Sequence, residues 1–209
     1  MARYTGPVCR LCRRERMKLY LKGAKCDTMK CPIERRPYPP GEAGRNRQRQ
    51  GSEYLLQLRE KQKARRIYGL MEKQFSRVYQ EANRRQGVTG ENLLQLLELR
   101  LDNAVFRAGW GASRAQSRQF VRHGHVAVNG KRVTIPSYQI RIGDVIRAKN
   151  KAKSLDLVRG AMSESSRDIP DFLSRSDSQI PEGIIGRLPA ADDVSIPVQT
   201  QLIVELCSR

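Results

Sequence analysis

Ser113–Val133 reads SRAQSRQFVRHGHVAVNGKRV, and this stretch decides what kind of module the chain carries. Ser113 with Gln116 three residues later matches a capping box, so a helix opens at Arg114 with its first unpaired N–H groups satisfied. Phe120 and Val121 supply the apolar side of that helix. Gly124 fits the position just past its end, where a left-handed backbone is needed. Val126-Ala127-Val128 then leads into Asn129-Gly130, a pair suited to the positive φ angles of a two-residue hairpin turn, with Val133 on the return strand. On the helix, Arg114, Arg118 and Arg122 recur at i, i+4 and i+8. Like charges at that spacing cost about 0.2–0.5 kcal/mol per pair. No acidic residue stands at helical spacing to neutralise them, so the sequence predicts one cationic edge waiting for external anions.

Upstream of this module the pattern is helical. Ser52 can cap a helix beginning at Glu53, with Leu55, Leu58 and Gln62 along one side. Met71–Arg85 gives a second run, with Phe75, Val78 and Tyr79 spaced for a core. Thr89 or Gly90 opens the strongest periodicity in the chain, and Leu93, Leu94, Leu97, Leu101, Ala104, Val105 and Ala108 form one buried stripe that Gly109 and Gly111 end. Downstream, Gly143-Asp144 sets up a strand over Val145–Ala148, a helix is expected from about 153 to 163, and Leu202–Leu206 reads as a terminal strand.

These parts predict an α+β protein. Residues 1–50 form a basic N-terminal arm and 51–100 a helical domain. Residues 101–150 form a small α/β module (capped helix plus hairpin) inserted before a mixed tail, 151–209, which closes the helical domain.

Charge narrows the function. Forty Lys+Arg against 21 Asp+Glu give +19, with a pI near 10.4. A small domain needs only about 2–8 net charges for solubility, so this excess calls for a polyanionic partner. Residues 1–50 hold 14 basic and 4 acidic side chains and 101–153 hold 11 and 2, whereas 161–209 reverse the balance with 4 and 8. No apolar run approaches the roughly 18 residues of a spanning helix, and the first 21 residues lack the apolar core of a signal peptide. The expectation is a cytoplasmic nucleic-acid binder with no membrane association. At 6% aromatic residues, stacking on single-stranded bases is not its main mode. Folded RNA, recognised by shape and phosphates, suits it better.

Four of the five cysteines fall as Cys9-x2-Cys12-x13-Cys26-x4-Cys31. Two pairs at such spacing can present four thiolates to one tetrahedral ion. Four thiolates select zinc or, less favourably without a redox partner, an iron–sulfur cluster. With every position filled by sulfur, the site would be structural. Two disulfides, disfavoured in a reducing compartment, or free thiols are the alternatives. Arg10, Arg13 and Arg14 surround the cysteines. Arg35, Arg36, Arg45, Arg47 and Arg49 follow in a Pro/Gly-rich stretch that reads as an extended arm. With Lys61, Lys63, Arg65 and Arg66 of the first helix, and Ser113, Arg114, Arg118, Arg122, His123, Asn129, Lys131 and Arg132 of the module, these are the candidate RNA contacts. His123 and His125, flanking Gly124, read as turn residues or RNA contacts. No nucleophile elbow, phosphate loop or paired carboxylates appear, which argues against an enzyme and a small-molecule substrate.

Several stretches resemble the family of bacterial small-subunit ribosomal protein four over essentially the whole length. They are Met1-Ala2-Arg3-Tyr4-Thr5-Gly6-Pro7, Arg35-Arg36-Pro37-Tyr38-Pro39-Pro40-Gly41, Leu58-Arg59-Glu60-Lys61-Gln62-Lys63, the ordered run from Leu101-Asp102-Asn103 to Gly143-Asp144, and Gln201-Leu202-Ile203-Val204-Glu205. The resemblance implies a primary binder of the 5′ domain of small-subunit rRNA. It also implies contact with ribosomal protein five at an interface that affects decoding accuracy, and a position near incoming mRNA. The four N-terminal cysteines would place the chain in the zinc-bearing branch, with one ion. Phe172, Ala190-Ala191-Asp192-Asp193 and Cys207 depart from the family pattern, all in the acidic tail. Two other readings remain at this point: an RNA-modifying enzyme sharing the 101–149 module, and a zinc-dependent DNA-binding regulator.

Overall fold

The computed structural model describes residues 2–45, 51–164, 168–176, 179–194 and 197–208. The chain divides into two compact units, 1–93 with 196–209, and 94–195.

The first unit is helical. Cys9–Glu15 (α1) ends where Arg16 turns into the left-handed region at φ 56°, and a 3-10 turn over Gly23–Cys26 follows. Pro32–Arg35 (α2) opens on proline, whose missing N–H costs nothing at a helix start. Glu53–Ile67 (α3) is capped as expected, the Ser52 Oγ accepting from the Leu55 N–H at 3.3 Å. Glu72–Arg84 (α4) buries Phe75, Tyr79 and Ala82, while Val78 is only partly covered.

The segment read as a terminal strand, Leu202–Leu206, lies within a helix, Thr200–Cys207 (α9 in chain order). An apolar run of five cannot distinguish strand from helix by periodicity alone. Here α9 packs along α3. Gln57 Nε2 donates to Glu205 Oε2 at 3.1 Å, the Tyr79 hydroxyl donates to the Val204 carbonyl at 3.4 Å, and Ile203 is fully buried. A helix satisfies its own backbone and needs only a face to bury, which α3 and α4 provide.

The second unit contains the expected module and more. The single stripe predicted from Thr89 to Ala108 is broken into Thr89–Glu98 (α5) and Leu101–Arg107 (α6). The cause is distant in sequence: the Leu99 carbonyl accepts from the Ile140 N–H at 2.9 Å, and the Leu101 and Asp102 N–H groups donate to Tyr138 and Pro136 carbonyls at 2.9 and 3.1 Å. These bonds to residues 136–140 replace a helical turn, and Leu101, Ala104, Val105 and Ala108 of α6 go on into the core of the second unit.

Arg114–His123 (α7) begins after Ser113, whose Oγ accepts from the Gln116 N–H at 3.3 Å. The reciprocal bond is shifted by one residue, with Gln116 Oε1 taking the Ala112 N–H at 2.7 Å. Val126–Val128 (β1) and Lys131–Arg132 (β2) form the hairpin, with Asn129 and Gly130 at φ 50° and 78°. Val145–Ala148 (β3) follows, then Ala152–Ser163 (α8), Leu173–Ser176 (β4) and Glu182–Ile185 (β5). The strands form one antiparallel sheet in the order β2-β1-β3-β5-β4. Val126, Val128, Ile146, Ala148 and Ile185 alternate inward onto Leu101, Val105, Trp110, Val121 and Phe172. The tail 151–209 therefore does not close the helical unit as a whole. Its strands extend the module's sheet, and α9 alone returns to α3 within the first unit.

Candidate nucleic-acid interface

The helix α7 was expected to carry three aligned, unneutralised arginines, and the structure corrects this. Arg118 is 6% exposed and donates from Nη1 to Asp102 Oδ2 at 2.8 Å. Arg100 grips the same carboxylate from the other side, Nε to Oδ1 at 3.1 Å and Nη2 to Oδ2 at 2.9 Å. The neutralising acid comes from α6, sixteen residues away, which helical spacing on α7 cannot reveal. Arg114 is half-buried, its Nε donating to Asn103 Oδ1 at 2.8 Å and its guanidinium lying 4.4 Å over the Phe106 ring. Asn103 is itself held by Glu98, whose carboxylate accepts from Asn103 Nδ2 at 2.8 Å and pairs with Arg107 at 3.2 Å. Of the three, only Arg122 is exposed.

Around Arg122 the surface is cationic and rigid. His123, Lys131 and Arg132 are exposed, and Arg132 crosses Gly124 to reach the His123 carbonyl at 3.5 Å. Gly124 sits at φ 72°, the left-handed cap the sequence predicts. Asn129 holds the hairpin tip instead of projecting freely: its Oδ1 accepts from the Val145 N–H at 2.9 Å, and its Nδ2 donates to Asp144 Oδ1 at 2.7 Å. Ser113 is occupied as the cap of α7. His125 is half-buried, its Nδ1 2.9 Å from Ser154 Oγ. Burial, followed by the charges of His123, Lys153, Lys149 and Arg132, holds its pKa below the ordinary histidine value. Lys149 and Lys153 were absent from the sequence-derived contact residues, although Lys149, Lys151 and Lys153 alternate there ahead of a helix.

In the first unit Arg10, Arg14, Arg35 and Arg36 are exposed. Arg13 is not an outward cation. Its Nε donates to the Arg36 and Tyr38 carbonyls at 3.1 and 3.0 Å, and its guanidinium lies 4.9 Å from the Tyr38 ring centre. The arm is thereby folded back on α1. Arg47, Arg49 and the Arg45 side chain lie outside the described residues. On α3, Lys61 pairs with Glu72 at 2.6 Å, Lys63 with Glu60 at 2.7 Å and Arg65 with Glu72 at 3.3 Å. Arg66 pairs with Glu15, which Arg59 also reaches at 3.3 Å. Lys63 is buried, so it contributes to packing rather than to an outer surface.

Cys9, Cys12, Cys26 and Cys31 line one cavity with Val8, Leu21, Pro32 and Ile33. The Lys22 N–H donates to Cys26 Sγ at 3.4 Å, and the Leu19 N–H points at Cys12. Such donors favour thiolates, whereas burial pushes the Cys12 and Cys26 thiols up. Among the described residues no group of three or more His, Cys, Asp or Glu side chains is placed to hold a metal ion. None of the five cysteines is joined in a disulfide. Cys207 is on α9 with Lys61 and Glu72 as its charged neighbours, apart from those four.

The Ribosomal protein S4/S9 N-terminal domain family matches residues 3–98, and the S4 domain family matches 99–146. The chain belongs to the uS4 ribosomal protein family. It is 54% identical over 209 residues to the small ribosomal subunit protein uS4 of Thermoanaerobacter sp. (strain X514), with both chains covered completely. The same full coverage holds for the uS4 proteins of Desulfitobacterium hafniense (strain DSM 10664 / DCB-2), 54% identical, and Acidothermus cellulolyticus (strain ATCC 43068 / DSM 8971 / 11B), 55% identical over 212 residues. This is a family of ribosomal structural proteins rather than enzymes, and the S4 domain is an RNA-binding module. No described helix of this uS4 chain is long and apolar enough to cross a membrane.

Proposed function

We propose that the chain is a structural constituent of the cytoplasmic small ribosomal subunit that binds the 5′ domain of its rRNA directly and nucleates assembly of the subunit body. The observation that carries this reading is the buried Arg100–Asp102–Arg118 network. It fixes α7 against α6, so that Arg122, His123, Lys131 and Arg132 stand on a surface of set shape. Folded RNA is recognised by such a match of shape and phosphates, because its deep major groove hides the base edges. The exposed arginines of the 1–50 arm, Arg10, Arg14, Arg35 and Arg36, would add contacts outside the 101–150 module.

Cys9, Cys12, Cys26 and Cys31 would hold one zinc ion. Four thiols on one cavity, with backbone N–H groups directed at two of them, suit a tetrahedral structural site. The ion would order a segment too short and too charged to fold by burial. Ribosomal protein five and mRNA near its point of arrival on the subunit are the further partners that the family likeness supports, with a contribution to translational accuracy.

Binding of the zinc-loaded chain to a 5′-domain rRNA fragment, across a salt series and with excess duplex DNA, tests the reading. Tight, RNA-selective binding with a steep salt slope is expected. Equal preference for duplex DNA would instead favour a DNA-binding regulator and overturn it.

A further inference from the structure

The S4 domain match ends at residue 146, but the cationic surface does not. The antiparallel register of β1 and β3 continues one residue past the strands, the Lys149 N–H donating to the His125 carbonyl at 2.8 Å. This lays the start of α8 against the turn that follows α7. Ser154, 3% exposed in the first turn of α8, secures the junction through its bond to His125 Nδ1 at 2.9 Å. From the other side, Arg132 of β2 reaches the His123 carbonyl at 3.5 Å, and the two imidazole rings stand 6.0 Å apart, edge to face. Four separate segments thus bring five basic side chains to one place, tied by one backbone bond and by the side-chain bonds of Ser154 and Arg132.

We propose that Lys149 and Lys153, with His123, His125 and Arg132, form a second phosphate-binding subsite that carries the module's RNA surface past its hairpin onto the start of α8. This rests on the RNA-binding reading above and adds a subsite to it. A free protein gains nothing from gathering these cations. The groups that bear most on His125 are His123 from α7, Arg132 from β2, Lys149 from the segment after β3 and Lys153 from α8, and every one of them is positive or becomes so on protonation. Like charges held together by fixed backbone are stabilised when phosphates neutralise them.

The arrangement makes binding proton-linked. Burial and neighbouring cations lower the His125 pKa from its ordinary value in the free protein, which favours the neutral ring. A phosphate at the subsite offsets the cations and raises its pKa, so the complex takes up a proton. A group whose pKa is raised in the complex strengthens it at low pH, and the gain is lost as pH rises through the histidine range.

The experiment measures binding of the full zinc-loaded chain to a 5′-domain rRNA fragment, comparing wild type with K149Q/K153Q, K149R/K153R and H125N. Asparagine can keep the bond to Ser154 while removing the titration. The double glutamine variant should lower the log–log salt slope by about 1.4–1.8 and weaken binding roughly tenfold or more near 0.1 M salt. The double arginine variant should restore both. Wild-type affinity should rise from about pH 8 to about pH 5.5, and H125N should flatten that rise. If K149Q/K153Q keeps the wild-type slope and affinity while wild type binds tightly, the subsite is overturned and the RNA-binding reading stands. If wild type itself fails to bind the fragment, both fall together.

Discussion

Arg118 Nη1 donates to Asp102 Oδ2 at 2.8 Å with both side chains 7% exposed, so an arginine on the candidate RNA helix is committed to the protein interior. Breaking a buried pair by removing one partner leaves the other charge uncompensated. Arg118→Gln should lower unfolding free energy by about 3 kcal/mol, at the low end for such pairs because Arg100 still holds Asp102. Urea denaturation would measure it. A change below about 1 kcal/mol, the range of exposed pairs, would remove the network from its structural role.

The same burial separates the three helix arginines in their effect on RNA. Arg122→Gln should reduce the log–log salt slope of rRNA-fragment binding by roughly 0.7–0.9, one phosphate contact. Arg118→Gln, measured where it remains folded, should leave that slope at the wild-type value. Equal slope losses in both variants would restore the picture of a continuous cationic edge.

Gly124 couples the helix end to the hairpin. Its φ of 72° favours glycine, and a Cβ placed there would stand 2.1 Å from Arg132 Nε. Gly124→Ala should therefore lose about 1–2 kcal/mol from the left-handed backbone alone. It should also push Arg132 off the surface, weakening RNA binding together with thermal stability. Retention of wild-type affinity in a destabilised variant would show that Arg132 is not a contact.

The module was legible in the sequence because its signals are local. Ser113, Gly124 and Asn129-Gly130 each act within a few residues, and each sits where those rules put it. The failures are non-local. The break at Leu99–Arg100 depends on backbone bonds to residues 136–140, and the helical state of Leu202–Leu206 depends on a face offered by α3. Arg118 looked unpaired because its acid lies on another helix, and Arg13 looked outward because its acceptors are carbonyls more than twenty residues away. Composition assigns the excess of cations to segments and no further. Which cations face outward was decided by tertiary partners that no spacing records.

The cysteine arm offers the last prediction. Glu15, at the end of α1, takes bonds from Arg59 and Arg66 of α3, and its side chain is 4% exposed. The arm is thus anchored to the helical unit at one end and, on the zinc reading, held by its metal at the other. Cys9→Ser should lower the bound zinc from one equivalent to well below one, because three thiolates leave the tetrahedron open. Hydrogen exchange should then rise mainly over residues 1–45. The 94–195 unit, whose core contains none of these residues, should keep its protection. Zinc measured by mass spectrometry of the intact protein, beside exchange on the same sample, checks both halves. Global loss of protection would mean the arm stabilises the whole chain. Unchanged zinc content would mean that Cys9 is not a ligand.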